Sequence, residues 1–439
     1  MSNRKVFINL FLSFSAAFLI YSAIFLNPYF VWVAFVPLIL LSWYNFFKKG
    51  LLFFLLSSFL ISVSGVYWVA NFDKKYFYLA AFYILSFFFF FSLLLGLIFS
   101  RVRNYYSFLV PASLYILLYW FYSFFGVGEY GFNLAVLQPR FGYISQAIGG
   151  YGLIFLILLF NSLLAFFIIN RRRYSYLVII SILSLALWSG NYYAHHKIPQ
   201  GQRVRVALIQ GDFPEAFAWR AENAGGVVLD KYIELTKKVA EEKVDLVIWP
   251  EYAIPTNLEI QPEISNKISN LARELRINLI FGATANDGLP DDNGETSYFN
   301  AAYGFDRQGN SLGRYDSLKP FNFKSRRSIG EGYWIFLTDV GKIGVMICFD
   351  EFFDQIPRDY NKLGVDYFVA ISNNEPVKNY LVKRWLKRFS ELRAATYQKY
   401  YIRTTNTGFS QVVNPYGIVV RTLPDNQLGV LVSDIYLKN

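Results

Sequence analysis

The chain has 439 residues, 54% of them hydrophobic and 20% aromatic, with 45 Phe and 33 Tyr, which is too apolar for a single water-soluble domain. Its formal charge of +11 would suit a nucleic-acid binder if it were evenly spread, but residues 1–200 carry 13 Lys/Arg against two acids, Asp73 and Glu129, while residues 201–439 carry 29 of each sign. The whole excess lies in the apolar half, where a membrane accounts for it, and no nucleic-acid partner is called for.

The first half reads as seven apolar spans, at 6–26, 29–47, 51–70, 76–100, 105–125, 151–170 and 174–194. Each is near the ~20 residues that carry a helix across the hydrocarbon core. The first follows Arg4 and Lys5, but its apolar run is longer than a signal peptide's and no small-x-small cleavage site ends it, so it reads as an anchor. With the N-terminus inside, the inner segments hold Arg4, Lys5, Lys48, Lys49, Arg101, Arg103, Arg171, Arg172 and Arg173. The outer segments hold Lys74, Lys75, Arg140 and Lys197. That bias, with an odd number of crossings, predicts a multi-pass protein of the cell (inner) membrane with everything after residue 195 on the extracytoplasmic side. The stretch from Gly126 to Gly150 is too glycine-rich for a plain span and reads as an outer loop that dips into the bilayer against protein.

The segment from His195 to Gly201 is the linker, so the expected domains are a transmembrane helical domain at 1–200 and an extracytoplasmic one at 201–439. His195 and His196 are the chain's two histidines; a His-dependent triad or a multi-His metal site in the second half is therefore excluded. A single cysteine likewise excludes an intrachain disulfide and a Cys-rich zinc site, and leaves the redox compartment open. From residue 203 strands alternate with helices. Strands are expected at 203–210, 245–249, 277–283 and 297–305, with another after a turn at 308–310, a hairpin over 333–347, a buried strand at 366–372 and a strand pair over 401–421. Helices are expected at 224–243, near 262–275 and at 378–400. This mixed order predicts an α/β domain, a layered sheet covered by helices.

Two apolar strands in this domain end on chemistry. Gly344-Val345-Met346-Ile347 delivers the lone Cys348, followed by Phe349, Asp350 and Glu351; Leu246-Val247-Ile248-Trp249-Pro250 delivers Glu251. A lone cysteine is more often a small buried hydrophobe. Two strand ends that meet at one sheet edge, however, would set a carboxylate beside the thiol as its base. A tetrahedral intermediate also needs cationic stabilisation, and the lysines between the two strands, Lys319 and Lys324 among them, are candidates.

Trp249-Pro250-Glu251, a later lysine beside an aromatic-proline segment, and Ile347-Cys348-Phe349-Asp350 together resemble the Glu–Lys–Cys signature of the nitrilase (carbon–nitrogen hydrolase) superfamily. Gly341-Lys342-Ile343-Gly344, Ile371-Ser372-Asn373-Asn374 and Arg403-Thr404-Thr405-Asn406-Thr407-Gly408 match as well. With the polytopic first half, the order of segments resembles the apolipoprotein N-acyltransferase branch, which Val206 to Asp212, Trp249 to Pro255 and Gly149 to Leu153 also match. The resemblance implies an αββα sandwich after the membrane domain, with Glu251 as general base, Cys348 as nucleophile and Lys319 as stabiliser of the intermediate. Lys324 is the reserve lysine. Trp249, Phe349, Asp350, Glu351 and Asn373 would support the substrate or the oxyanion. It further implies a phospholipid acyl donor, a cysteine thioester, a lipoprotein acceptor whose N-terminal amine is acylated, and no metal or cofactor.

Three features depart from that branch. The branch usually ends in one more transmembrane helix, where this sequence ends at Asp434-Ile435-Tyr436-Leu437-Lys438-Asn439. Its lysine stands close to the Tyr-Asp motif with Pro-Phe-Gly-Glu further on, whereas here Ser317 follows Tyr315-Asp316 and Asn322-Phe323 follows Pro320-Phe321. It favours Cys-Tyr-Glu over Cys348-Phe349-Asp350, a form closer to soluble amidases. Two other readings therefore stand beside the transferase: a membrane-tethered amidase with water as acceptor, and a catalytically silent receptor.

Overall fold

The computed structural model describes residues 2–45, 47–71, 74–125, 133–214, 224–290, 296–320 and 327–437. Its contacts divide the chain into two units, Met1–His196 with Arg384–Arg388, and Lys197–Lys383 with Phe389–Asn439.

The first unit is helical: α1 (Asn3–Tyr21), α2 (Val36–Tyr44), α3 (Phe47–Val66), α4 (Lys74–Arg101), α5 (Val110–Ser123), α6 (Ser145–Ile169) and α7 (Ser175–His196). Among the described residues, five helical stretches are long and apolar enough to cross a membrane: Asn3–Leu26, Gly50–Asn71, Lys74–Arg101, Phe141–Ile169 and Ser175–His196. The other two of the seven expected spans are shorter. The second is broken into a 3-10 turn at Pro28–Trp32 and the nine residues of α2, and the fifth holds the 14 residues of α5. Proline is the reason for both, because Pro28, Pro37 and Pro111 each stand in a first turn, where a ring that lacks an N–H starts a helix but cannot continue one. Backbone freed at the first break finds partners: Asn161 accepts from the Phe35 N–H at 2.9 Å and donates to the Val31 carbonyl at 2.9 Å, as an irregular segment at membrane depth requires. Within the expected loop from Gly126 to Gly150, residues 126–132 lie outside the described residues. From 133 onward it forms two 3-10 turns, with Leu134–Leu137 buried, and then enters α6, which kinks at Gly149, φ +71°.

The second unit is built on two sheets. Strands β1 (Gln202–Gln210), β2 (Leu246–Ile248), β3 (Ile254–Asn257), β4 (Asn278–Pro290), β5 (Thr296–Phe305), β6 (Ser311–Asp316) and β7 (Arg327–Ser328), joined by β14 (Gly429–Leu437), make the first, in the order β14-β1-β2-β4-β5-β6 with β3 on β4 and β7 on β5. The second runs β13-β12-β11-β10-β9-β8, from β8 (Ile335–Thr338), β9 (Gly341–Ile347), β10 (Tyr367–Ser372), β11 (Tyr401–Thr405), β12 (Ser410–Val413) and β13 (Val419–Leu423). Alternation along β1 shows the layering. Val204, Val206 and Leu208 pack with Ile343, Val345, Ile347 and Val369 of the second sheet in one core. Ala207 and Ile209 instead face Val228, Leu229, Tyr232 and Val239 of α8 (Ala224–Ala240) and Ile268 and Leu271 of α9 (Pro262–Leu275). The second sheet carries α10 (Gln355–Lys362), α11 (Tyr380–Leu386) and α12 (Arg388–Tyr397) between its strands. The single helix expected at 378–400 is thus two, interrupted at Lys387.

Candidate functional site

Strands β1, β2 and β4 run parallel in one sheet, and β9, β10 and β11 run parallel in the other. Their carboxyl ends hold Asp212, Glu251, Cys348, Asn373 and Asn406. At three of these ends the chain turns through left-handed backbone: Asp212 has φ +49°, Cys348 has φ +51° and Tyr252, directly after Glu251, has φ +53°. Non-glycine residues rarely take that conformation, and it is commonest where surrounding structure over-determines a working geometry. At Cys348 it breaks the chain from β9 into a 3-10 turn, Cys348–Phe352, and leaves the thiol half-buried.

Glu251 is buried, and both of its oxygens are held. Asn300 Nδ2 donates to Oε1 at 2.7 Å, and the Asn373 backbone N–H donates to Oε2 at 2.6 Å. Since Ile371 pairs with Ile347 across β10 and β9, the strand that brings this N–H to Glu251 is also the neighbour of the strand that brings the thiol.

Asp350 ties the lysine segment to the cysteine turn. Its Oδ1 accepts from Ser317 Oγ at 3.1 Å and from the Lys319 N–H at 2.8 Å; its Oδ2 accepts from Tyr315 Oη at 2.9 Å and from the Ile347 N–H at 3.0 Å. Complete burial pushes its carboxyl up to about 6, and the four donors pull against that rise. The Ser317 N–H in turn donates to the Asn300 carbonyl at 2.9 Å. A continuous frame therefore runs from Glu251 through Asn300, Ser317 and Asp350 to Ile347, the residue before Cys348.

Glu351 belongs to a second buried knot. Arg403 Nε reaches both of its oxygens at 3.1 Å, Tyr401 Oη and Ser372 Oγ donate to it, and Arg403 also holds Asn374 Oδ1 and the Phe409 carbonyl. A pair this buried costs desolvation unless its hydrogen bonds are complete; these fix Glu351 to the scaffold.

Several sequence expectations take a different form here. Lys319 is brought to the cysteine turn through its backbone N–H, while its ammonium stands 5.4 Å from the Phe353 ring centroid on an exposed side chain. Lys324 lies outside the described residues. Trp249 is not part of the site: its indole donates to Thr236 Oγ1 at 3.0 Å and stacks on Tyr232, so it belongs to the core under α8. Alternation along β2 sends Trp249 to the same side as Val247, and the turn at Pro250 sends Glu251 another way. Phe349 packs on Phe352 and Phe353, and Asn373 meets Glu251 through its backbone N–H. Asn300 and Ser317 were not among the expected site residues. The available signal was a buried amide inside the apolar run Phe299-Asn300-Ala301-Ala302, since a polar side chain in a core requires a partner.

The family model described as carbon–nitrogen hydrolase matches residues 205–439, more than half of the chain. Among curated relatives, proteins named apolipoprotein N-acyltransferase from Geobacter metallireducens and Shewanella oneidensis are 28% and 25% identical, each alignment covering 67% of this chain and 61% of the relative. The match thus spans about 61% of those relatives' length. A solved structure, the carbon-nitrogen hydrolase of Helicobacter pylori G27, aligns with 53% of this chain and 88% of its own at 18% identity and a TM-score of 0.44. The glutamate and cysteine strand ends lie inside the matched region, and the chain belongs to the carbon–nitrogen hydrolase family.

Proposed function

We propose that this protein is a membrane-embedded N-acyltransferase that moves an acyl chain from a phospholipid, by way of a thioester on Cys348, to the N-terminal amine of a lipoprotein. The observation that carries this reading is the hydrogen-bonded frame from Glu251 to the Cys348 turn, which ties base, lysine segment and nucleophile together. Relatives named apolipoprotein N-acyltransferase support the substrate class, and the helical unit supports a membrane setting. That unit holds a pocket lined by apolar residues including Ile20, Phe25, Phe35, Val66, Phe88 and Leu137, a lining whose chemistry suits acyl chains. In this proposal residues 1–200 are the membrane domain, and residues 201–439 form the catalytic αββα domain outside the cytoplasm.

Glu251 takes the Cys348 proton, and the thiolate attacks the ester carbonyl of the phospholipid. Lys319 neutralises the oxyanion by swinging its ammonium from the Phe353 ring toward the thiol, its backbone staying fixed on Asp350. Collapse expels the lysophospholipid alkoxide, which takes the proton from Glu251. The acceptor amine then attacks the thioester, and the thiol leaves. An apolar approach admits acyl chains and keeps water from the thioester.

The test is intact-mass spectrometry of the purified protein after incubation with phospholipid. An acyl-sized adduct on Cys348 is expected, absent in Cys348→Ser, slow in Glu251→Gln, and discharged by a peptide with a lipidated N-terminal cysteine. Discharge by water as fast as by the peptide would favour the amidase reading. A folded protein that never takes up an acyl group would favour the silent receptor.

A further inference from the structure

Glu251 and Cys348 come from different sheets, one following β2 of the first and the other following β9 of the second. Their separation therefore depends on how far apart the two sheets stand at their carboxyl ends. Face-to-face sheets pack about 10 Å apart, and the apolar side chains between them attract without direction. Hydrogen bonds, by contrast, accept only a narrow range of distance. The frame through Asn300, Ser317 and Asp350 ties the sheets on the β6 side of Glu251. On its other side stands β1, and four consecutive buried residues at the end of β11 reach across to it. Thr404 Oγ1 donates to the Ile209 carbonyl and Thr405 Oγ1 to Gln210 Oε1, both at 3.3 Å, and Thr407 Oγ1 donates to Asp212 Oδ1 at 3.4 Å. Asn406 makes the shortest contacts. Its Nδ2 donates to the Phe213 carbonyl at 2.7 Å, its Oδ1 accepts from the Phe213 N–H at 3.1 Å, and its carbonyl accepts from the Asp212 N–H at 2.8 Å. The side-chain amide thus pairs with a peptide group of the first sheet as a neighbouring strand would. In the second sheet, the Asn406 N–H donates to the Ser372 carbonyl at 2.9 Å, and Nδ2 also reaches Asn373 Oδ1 at 3.4 Å. Asn373 is the residue whose own N–H holds Glu251.

We propose that Asn406 is a positioning residue: it fixes the spacing of the two sheets beside Glu251 and so holds that carboxylate in register with the Cys348 thiol for proton transfer. The inference rests on the reading of Glu251 as the base. Asn406 itself gives and takes no proton; it acts through the loop after β1 and through Asn373. A matched residue stands at the opposite end of the sheets. Asn278, the first residue of β4, is fully buried, and its Nδ2 donates to Asp339 Oδ1 at 2.7 Å in the turn between β8 and β9. It ties the same two sheets at their amino ends, away from the thiol.

The test uses the full chain in detergent and follows the rate of iodoacetamide alkylation of Cys348 against pH by mass spectrometry. An unassisted thiol ionises at about pH 8.5, and its alkylation falls about tenfold for each pH unit below that. Beside a base, a fixed fraction of molecules carries the proton on Glu251 instead of sulfur, so the rate levels to a plateau. The wild type should show that plateau, and Glu251→Gln should lose it. Asn406→Ala should lower it about tenfold or more, the scale of a displaced catalytic group, with the alkaline limit unchanged because a fully ionised thiol needs no base. Asn406→Asp has the same shape but sets an oxygen against the Phe213 carbonyl, and should act likewise; it decides if the alanine variant fails to fold. Asn278→Ala should keep the plateau. A wild-type plateau in the Asn406 variants overturns the proposal. An equal drop in Asn278→Ala also overturns it, since the effect is then a general loosening of the sheets. So does a parallel drop of plateau and alkaline limit, which is lost access to the thiol. If Glu251→Gln matches the wild type at every pH, the base reading itself falls, and this inference with it.

Discussion

Asp350 does at the residue scale what no backbone contact does, because each of its oxygens accepts one backbone N–H and one hydroxyl. The hydroxyls of Tyr315 and Ser317 can reverse when the carboxyl takes a proton, but the N–H groups of Ile347 and Lys319 cannot. Protonation therefore weakens the grip on the cysteine turn. Burial raises this carboxyl from the ordinary range to about 6. Between about pH 4 and 6 the folded protein keeps a proton that the unfolded chain has released, so this group's contribution to stability declines as pH rises through that window and is level above it. Activity should run the other way. We expect the rate of Cys348 acylation to fall below pH 6 with an apparent pKa near that value. Asn at this position puts an amide nitrogen where an N–H must be accepted. Asp350→Asn should thus be slow at every pH and should lack the limb near 6, as a pH–rate profile of adduct formation would show. An unchanged limb in that variant would assign the titration elsewhere.

Among the elements, β4 and the β2 loop approach so closely that Gly282 has no room for a side chain. A Cβ there would stand 2.7 Å from Glu251 Cα and the Pro250 carbonyl oxygen and 2.8 Å from the Tyr252 nitrogen, all backbone atoms. Gly282→Ala must move either β4 or the segment that carries Glu251. Overpacking of this kind costs about 1–3 kcal/mol, so a lower melting temperature and slow acylation are both expected. Gly332, with nothing within 4 Å of its would-be Cβ, is the matched control and should tolerate alanine. Wild-type acylation in Gly282→Ala would show that the Glu251 loop is not held by this contact. The strands that carry Glu251 and Cys348 were legible because they are buried on both faces and read as unbroken apolar runs. Strand β14 was not read, since its buried and half-buried residues alternate and include the polar Ser433 and Asp434; only its antiparallel register against β1 makes it a strand. The eight residues of α10 were too short and polar to stand out. Asn300 and Ser317 were illegible for a related reason, as their roles come from cross-strand register, Asn300 opposite Thr284 and Ser317 following β6, which a linear pattern does not display.

On the scale of the whole molecule, the basic residues do more than fix a net charge. Arg103 donates to the Phe99 and Trp43 carbonyls and lies 4.7 Å over the Trp43 ring, and Arg173 lies 5.2 Å over the Tyr105 ring. Cations paired with aromatic rings at helix ends are typical of a membrane boundary. These residues follow α4 and α6, ends that the charge bias assigns to the cytoplasm. The shortness of α2 and α5 does not change the assignment if both traverse the membrane with the irregular segments beside them, which keeps the number of crossings odd and sends the chain after His196 outward. An epitope tag appended after Asn439 should then be removed by protease added to intact spheroplasts, while a tag before Ser2 is cut only after lysis. A C-terminal tag that survives until lysis would reverse the orientation. That outcome would leave the frame between Glu251 and Cys348 intact, but it would count against the proposed transfer to an acceptor presented outside the cytoplasm. Cutting of both tags in intact cells would instead show an even number of crossings, with α2 or α5 as the segment that turns back within the bilayer.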